Sequence, residues 1–247
     1  MQPPTEQDLG TALTIRASLD LEPLNAVFRT TGQVHVADFL ETGAARRLLQ
    51  ALTGEVPWQL AFNDGAATYD LHKAHLEALE DMRKRLLSDH IMTRAQYDFQ
   101  YLYNNYPITD YCQKGLAPHL YINRVQAFVN SPEFLDTVRK ITGFDDIAFA
   151  DAQATLYRRG HFLTRHDDDV KGKNRRAAYV ISMTPKWRVE WGGILQFVGD
   201  DGHVSGGVVP RFNALNIFRV PQHHLVSVVS PFADGGRYSI TGWLRTG

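Results

Sequence analysis

The sequence predicts a mainly β fold with flanking helices around a jelly-roll-like, double-stranded β-helix core, and three observations carry that expectation. After Gly143 the chain breaks into short apolar runs over 147–156, 177–183, 194–198, 204–209, 214–218, 225–229 and 238–244, with Gly, Pro, Asp and Asn turns between them. Such spacing belongs to an antiparallel sandwich or barrel. Before Gly143, apolar residues recur mostly at helical steps. The full length of 247 residues suits a single domain, with 1–144 as helical support and first strands and 145–247 as the core.

Taken in order, residues 1–20 are polar, carry Pro3 and Pro4, and read as an arm or a first short helix. Val34 and Val36 alternate with polar neighbours within Gly32 to Leu40, a short strand. Thr42 then caps a helix marked by Ala45, Leu48, Leu49 and Leu52. From Asp70 to Asp89 the three- and four-residue steps of Leu71, His75, Ala78, Leu79, Met82 and Leu86 predict one amphipathic helix. Tyr97, Phe99, Tyr101 and Tyr103 fall at strand spacing, either a core stripe or one wall of a cleft, and 104–107 reads as a turn. Ser131, Pro132, Glu133 and Gly143 punctuate a helix from cap to stop.

Hydrophobic residues at 44% and charged residues at 21% are ordinary globular usage. A net charge of -1 argues against a general polyanion binder, and no direct nucleic-acid binding is expected. The lone Cys112 excludes an internal disulfide and fits a reducing compartment. The polar N-terminus lacks a signal-peptide core, and no apolar run approaches the roughly 18 residues of a membrane span, so a soluble, cytoplasmic protein is expected.

The chemistry concentrates in TLYRRGHFLTRHDDD, residues 155–169. On a strand, His166 and Asp168 project to one face and form two-thirds of a facial site of two histidines and one carboxylate, the arrangement of non-haem iron(II) oxygenases. The only other His-x-acid pair, His75 and Glu77, lies in the expected helix, where residues two apart diverge. The third ligand is His223 or His224 at the head of an alternating strand; periodicity alone leaves both open. Arg237 opens the last strand, and an inward-facing arginine there needs an anion, which its planar fork grips best as a carboxylate.

In that order and spacing, His166-x-Asp168, the distal histidine and Arg237 at the head of RYSITGW resemble the signature of the 2-oxoglutarate- and iron(II)-dependent dioxygenases. The resemblance is to the prolyl hydroxylase branch, most closely to bacterial relatives of the ribosomal prolyl hydroxylases. Tyr157, Arg176 at the head of RAAYVISM and Trp191-Gly192-Gly193 support it, and the likeness covers roughly 148–244, with weaker similarity in GQVHVADFL and YLYNNYP. It favours His224 over His223, because alternating valines follow the distal histidine in that family.

The resemblance implies that His166, Asp168 and His224 hold Fe(II) and that Arg237 grips the distal carboxylate of 2-oxoglutarate. O2 is consumed, ascorbate serves as a possible reductant, and a prolyl residue of a protein or peptide, conceivably ribosomal or translation-associated, is hydroxylated with release of succinate and CO2. The chain has no tyrosine near Met183, where several relatives place one, so Tyr157 or Thr155 is expected to supply the hydroxyl beside the carboxylate. Asp167 is expected to turn away from the metal. Arg176, Tyr179 and Trp191, with Trp187, are expected at the substrate mouth, and Arg158, Arg159, Lys171, Lys173, Arg175 and Arg176 to form a basic cluster. Three alternatives stand beside this reading: a hydroxylase of a free amino acid or other small molecule, a carbohydrate- or metal-binding jelly roll with calcium in the Asp167 to Asp169 loop, and a cupin-like sensor without turnover.

Overall fold

Among the described residues thirteen strands, β1 (Gln33–Ala37), β2 (Gln59–Asp64), β3 (Ala67–His72), β4 (Tyr101–Tyr106), β5 (Ile147–Ala150), β6 (Gln153–Tyr157), β7 (Phe162–His166), β8 (Arg175–Met183), β9 (Leu195–Val198), β10 (Val204–Val208), β11 (Phe212–Arg219), β12 (His224–Val226) and β13 (Arg237–Thr246), join into one sheet. Their order is β1-β11-β8-β13-β6-β4-β7-β12-β9-β10, with β2 and β3 added at β4 and β5 at β13. The structure, a computed structural model, describes residues 11–247. The strands that position the site are β4, β6, β7, β8, β9, β11, β12 and β13.

The sheet is curled, and ring packing shows it. Six strands separate β9 from β11 in the order, so a flat sheet would hold them roughly 34 Å apart at the usual strand spacing. Yet Phe197 of β9 and Phe218 of β11 meet with ring centroids 5.3 Å apart. The two wings face each other across an interior, as in a jelly roll.

Strand β8 shows why the run RAAYVISM is continuously apolar. Ala177, Tyr179 and Ile181 join the large core under the helices, while Ala178 and Val180 join the smaller cluster inside the curl. A strand buried on both faces has no polar side to alternate with. The large cluster runs from Ile15 to Leu244, and Phe134 of helix Pro132–Thr142 meets Tyr179 edge-on at 5.7 Å. The helices thus cover the outside of the sheet. Ser131 accepts the Phe134 amide and Gly143 ends that helix in the left-handed region at φ 71°, as its sequence punctuation indicates.

Four local expectations are corrected. The single helix expected over 70–89 is instead a strand, Ala67–His72, followed by helices Lys73–Ala78 and Asp81–Arg94. Leu71 pairs with Leu60 across a hairpin turned by Gly65 at φ 60°, so part of the apolar period belonged to a strand. Thr42 is the first helical residue rather than the cap, which is Glu41, and its side chain bonds no amide of that helix. The aromatic stripe enters a strand only at Tyr101, and Asn104 and Asn105, expected in a turn, pair with Leu156 and Thr155 of β6. The run 147–156 breaks between Ala150 and Gln153 into two strands. Of the arm or first short helix expected over residues 1–20, residues 1–10 lie outside the described residues, and 11–20 form no helix, with Ile15 bridging Leu40.

Candidate metal centre and adjoining cavity

His166 ends β7, His224 begins β12, and the two residues sit opposite each other in the ladder. Their ring centroids are 4.1 Å apart. Asp168 reaches both: its Oδ1 lies 3.6 Å from His166 Nε2 and its Oδ2 3.4 Å from His224 Nε2. One ligand atom from each residue falls within 4.8 Å of the others, the separation a single cation would bridge.

Strand parity is not what aligns His166 with Asp168. The strand stops at His166, and Asp168 turns back in the left-handed region at φ 63°, a conformation aspartate tolerates better than most residues. Asp167 helps make the turn: its Oδ1 accepts the Asp169 amide at 3.0 Å and its carbonyl accepts the Gln222 amide at 3.3 Å. Its side chain is committed to backbone, which agrees with its expected place away from the metal.

Both imidazoles have a fixed tautomer. His166 Nδ1 lies 3.0 Å from Thr164 O and His224 Nδ1 2.7 Å from Gln222 O. A carbonyl only accepts, so each Nδ1 carries the proton and each Nε2 keeps its lone pair for a metal. Burial, then the neighbouring His166, lowers the His224 pKa, so that ring is neutral near pH 7. His223, by contrast, is exposed. Two imidazole nitrogens and one carboxylate fit a non-haem transition metal, whereas calcium takes oxygen ligands alone.

Arg237 lies in the same cavity as the three ligands, together with Thr155 and Tyr157. It is 5% exposed, it forms no ion pair among the described residues, and its Nε has no hydrogen-bond partner. Its Nη1 makes a 3.4 Å bond to Ser239 Oγ, which also meets Thr155 Oγ1 at 2.8 Å. The guanidinium lies 4.9 Å from the centre of the Tyr157 ring. Tyr157, stacked on Tyr103 at 5.0 Å, has its phenol pKa raised by burial and stays protonated. A buried charge with no counter-ion is costly unless an anion meets it. An anionic ligand in this cavity would meet that charge.

The expected mouth residues are dispersed. Arg176 pairs with Asp146 on the outer surface and does not line the cavity. Tyr179 borders it, but the ring is fully buried against Phe134 and its hydroxyl donates to Asp151 O at 2.8 Å. Trp191 packs edge-on against Trp187 at 5.3 Å, and Trp187 Nε1 donates to Gly192 O. A Cβ at Gly193 would meet Trp187, Val229 and Arg237, so the Gly192-Gly193 turn lets the backbone pass close over the arginine. The expected basic cluster is divided: Arg158 and Arg159 border a cleft with His161 and Tyr238, whereas Lys173 and Arg175 border another beside Trp243.

Three residues that sequence reading missed also belong to this site. Gln153, Thr241 and Trp243 line the cavity, and Thr241 Oγ1 and Trp243 Nε1 are buried with no partner. Both share the parity of Arg237 on the last strand, which is the signal that could have found them. Arg175 donates to the carbonyl of Asp168 at 3.0 Å.

Residues 152–245 match the family model described as the 2OG-Fe(II) oxygenase superfamily. Prolyl 3-hydroxylase OGFOD1 of Mus musculus is 28% identical over 176 residues, which is 67% of this chain and 30% of that protein. Its Xenopus laevis counterpart is 30% identical over 119 residues, 46% of this chain and 23% of that protein. The matched part of the chain thus spans less than a third of either relative. A Pseudomonas putida prolyl-4-hydroxylase crystal structure superposes with a TM-score of 0.52 at 20% identity, covering 92% of this chain and 100% of that one, so the fold is shared. The segment that matches this 2OG-Fe(II) oxygenase model is the one that carries His166, Asp168, His224 and Arg237.

Proposed function

We propose that this protein is an Fe(II)- and 2-oxoglutarate-dependent dioxygenase that hydroxylates a prolyl residue of a protein or peptide, releasing succinate and CO2. The observation that carries the reading is the buried Arg237, without a counter-ion among the described residues, in the cavity shared with two imidazoles and a carboxylate. His166, Asp168 and His224 would hold the iron, which supplies the activation of O2 coupled to oxidation of the cosubstrate. Arg237 grips the distal carboxylate, with the Thr155 and Ser239 hydroxyls beside it and the protonated Tyr157 as a wall. Leu163, Leu195, Phe218 and Val226 give the cavity an apolar wall.

The aromatic stripe is divided between core and mouth. Tyr103 is half-buried and stacked on Tyr157, while Phe99 is 46% exposed with its ring 5.4 Å from His166. Phe99 and Tyr101, 5.9 Å apart, give an apolar wall beside the metal suited to a prolyl ring. The names of the curated relatives favour a polypeptide substrate over a free amino acid. On the sequence resemblance, ribosomal and translation-associated proteins are the first substrates to try, with ascorbate as reductant and the cytoplasm as the compartment.

Purified protein incubated with Fe(II), 2-oxoglutarate, O2 and a proline-containing peptide pool, with free proline in a parallel arm, should form succinate and a peptide heavier by one oxygen. Both products should disappear in His166→Ala. Succinate that accumulates equally in His166→Ala would sink the assignment of the site, and oxidation of free proline alone would move the substrate to a small molecule.

A further inference from the structure

We propose that Arg175 is a positioning residue that holds Asp168 in its ligating conformation, using Trp243 as the platform for its guanidinium. The inference rests on the metal site read above and adds a residue that neither the spacing nor the three ligands supply.

The connection from His166 to Arg175 has three left-handed positions, Asp168 at φ 63°, Gly172 at 80° and Asn174 at 47°. Two of these are not glycine, and such conformations persist only where surroundings over-determine them. Arg175, the first residue of β8, closes that loop on itself: its Nη1 donates to the carbonyl of Asp168 at 3.0 Å. The same Nη1 is 3.7 Å from Asp168 Oδ1, too far for a hydrogen bond. The guanidinium therefore fixes the main chain of the ligand without occupying a lone pair of its carboxylate.

The guanidinium is itself fixed. Its centre lies 3.6 Å from the Trp243 ring centroid, the side chain is 12% exposed, and its Nε has no partner. Of the other charged groups around it, Asp151 is held by Arg245 at 3.1 Å. A planar, stacked fork is what lysine cannot reproduce.

Position and charge act in opposite directions here, which makes the proposal testable. A cation 3.7 Å from a metal-binding carboxylate opposes metal uptake by charge alone, so if Arg175 acted only as a charge its removal would tighten binding. If it positions Asp168, removal loosens binding, by the roughly 10- to 100-fold typical of groups that orient metal ligands. Mn(II) titrated into the full chain without 2-oxoglutarate, with free Mn(II) read by electron paramagnetic resonance, separates the two with no turnover involved. Arg175→Met is expected to weaken Mn(II) binding by that factor. Arg175→Lys, which keeps the charge and the stem, is expected to weaken it too and serves if the methionine variant does not fold. Binding equal to or tighter than wild type in either folded variant overturns the proposal. A wild-type chain that takes up no Mn(II) overturns the metal site itself.

Discussion

Between Ala67 and Phe99 the chain leaves apolar side chains in water, whereas between Thr155 and Trp243 it buries polar ones. Met82 is 65% and Leu86 61% exposed on the helix Asp81–Arg94, while Arg237, His224 and Ser239 lie almost wholly out of solvent. Scattered exposed hydrophobes are ordinary on a protein surface. Buried polar groups without partners are not, and three of them line one cavity: Arg237 Nε, Thr241 Oγ1 and Trp243 Nε1. The outer layer tolerates change, and the interior carries chemistry that a bound ligand completes.

The sharpest way to test that contrast is at the ligands. His166→Ala, Asp168→Ala and His224→Ala should each weaken Co(II) or Mn(II) binding by more than about 100-fold, beyond what loss of an orienting neighbour costs. Isothermal titration in the absence of cosubstrate checks this. Retention of full affinity in His224→Ala, with loss in His223→Ala, would reverse the choice between the two histidines.

Arg237 should show a split between stability and function. Arg237→Met removes a buried, unpaired charge and keeps an apolar stem, so the variant should be at least as stable as wild type, by about 1 kcal/mol in favourable packing. Its affinity for 2-oxoglutarate should fall by about two orders of magnitude, since a charged bidentate contact is lost, while metal affinity is unchanged. Chemical denaturation and cosubstrate titration on the same preparation read both. A variant that is destabilised and still binds 2-oxoglutarate would mean that the guanidinium serves the fold.

How much of this was legible in the sequence follows from what fixes each part. The β-rich second half was readable because Gly, Pro, Asp and Asn turns delimit its runs, and the helix Pro132–Thr142 because its caps are local. His166, Asp168 and Arg237 were visible as unusual residues at suggestive positions. The way they meet was not: Asp168 arrives through a left-handed turn, and periodicity describes only regular backbone. Choosing His224 over His223 required burial or family pattern, since each lies on one parity of a short strand. The contact of Arg175 with Trp243 escaped because it runs across two strands, a matter of register and curl rather than of sequence spacing. The helix expected over 70–89 went wrong because Leu71 belongs to a strand, and Met82 and Leu86, although helical, face water.

A smaller effect is expected in acid. Burial lowers the His161 pKa from 6.5 to about 4. Below pH 6.5 the unfolded chain binds a proton that the folded chain refuses until about pH 4, so stability falls as pH drops through that window. From pH 7 to pH 5 the loss from this one group is about 2 kcal/mol. His224 is shifted in the same direction by its burial and adds to the trend. Urea midpoints at the two pH values should separate by less in His161→Gln than in wild type; an unchanged separation would place the acid sensitivity elsewhere.

The outer helix should respond least. Met82→Lys and Leu86→Lys replace exposed side chains that touch no part of the buried clusters, so each should change stability by no more than about 0.5 kcal/mol. Metal and 2-oxoglutarate affinities should stay at wild-type values, because the cavity is lined by the core strands and not by this helix. Thermal melting and the two titrations check both statements together. If either substitution lowered turnover on a peptide while leaving those affinities intact, the exposed apolar face would have to be counted as part of the substrate surface, and the division between a tolerant outer layer and a chemical interior would have to be redrawn at Asp81–Arg94.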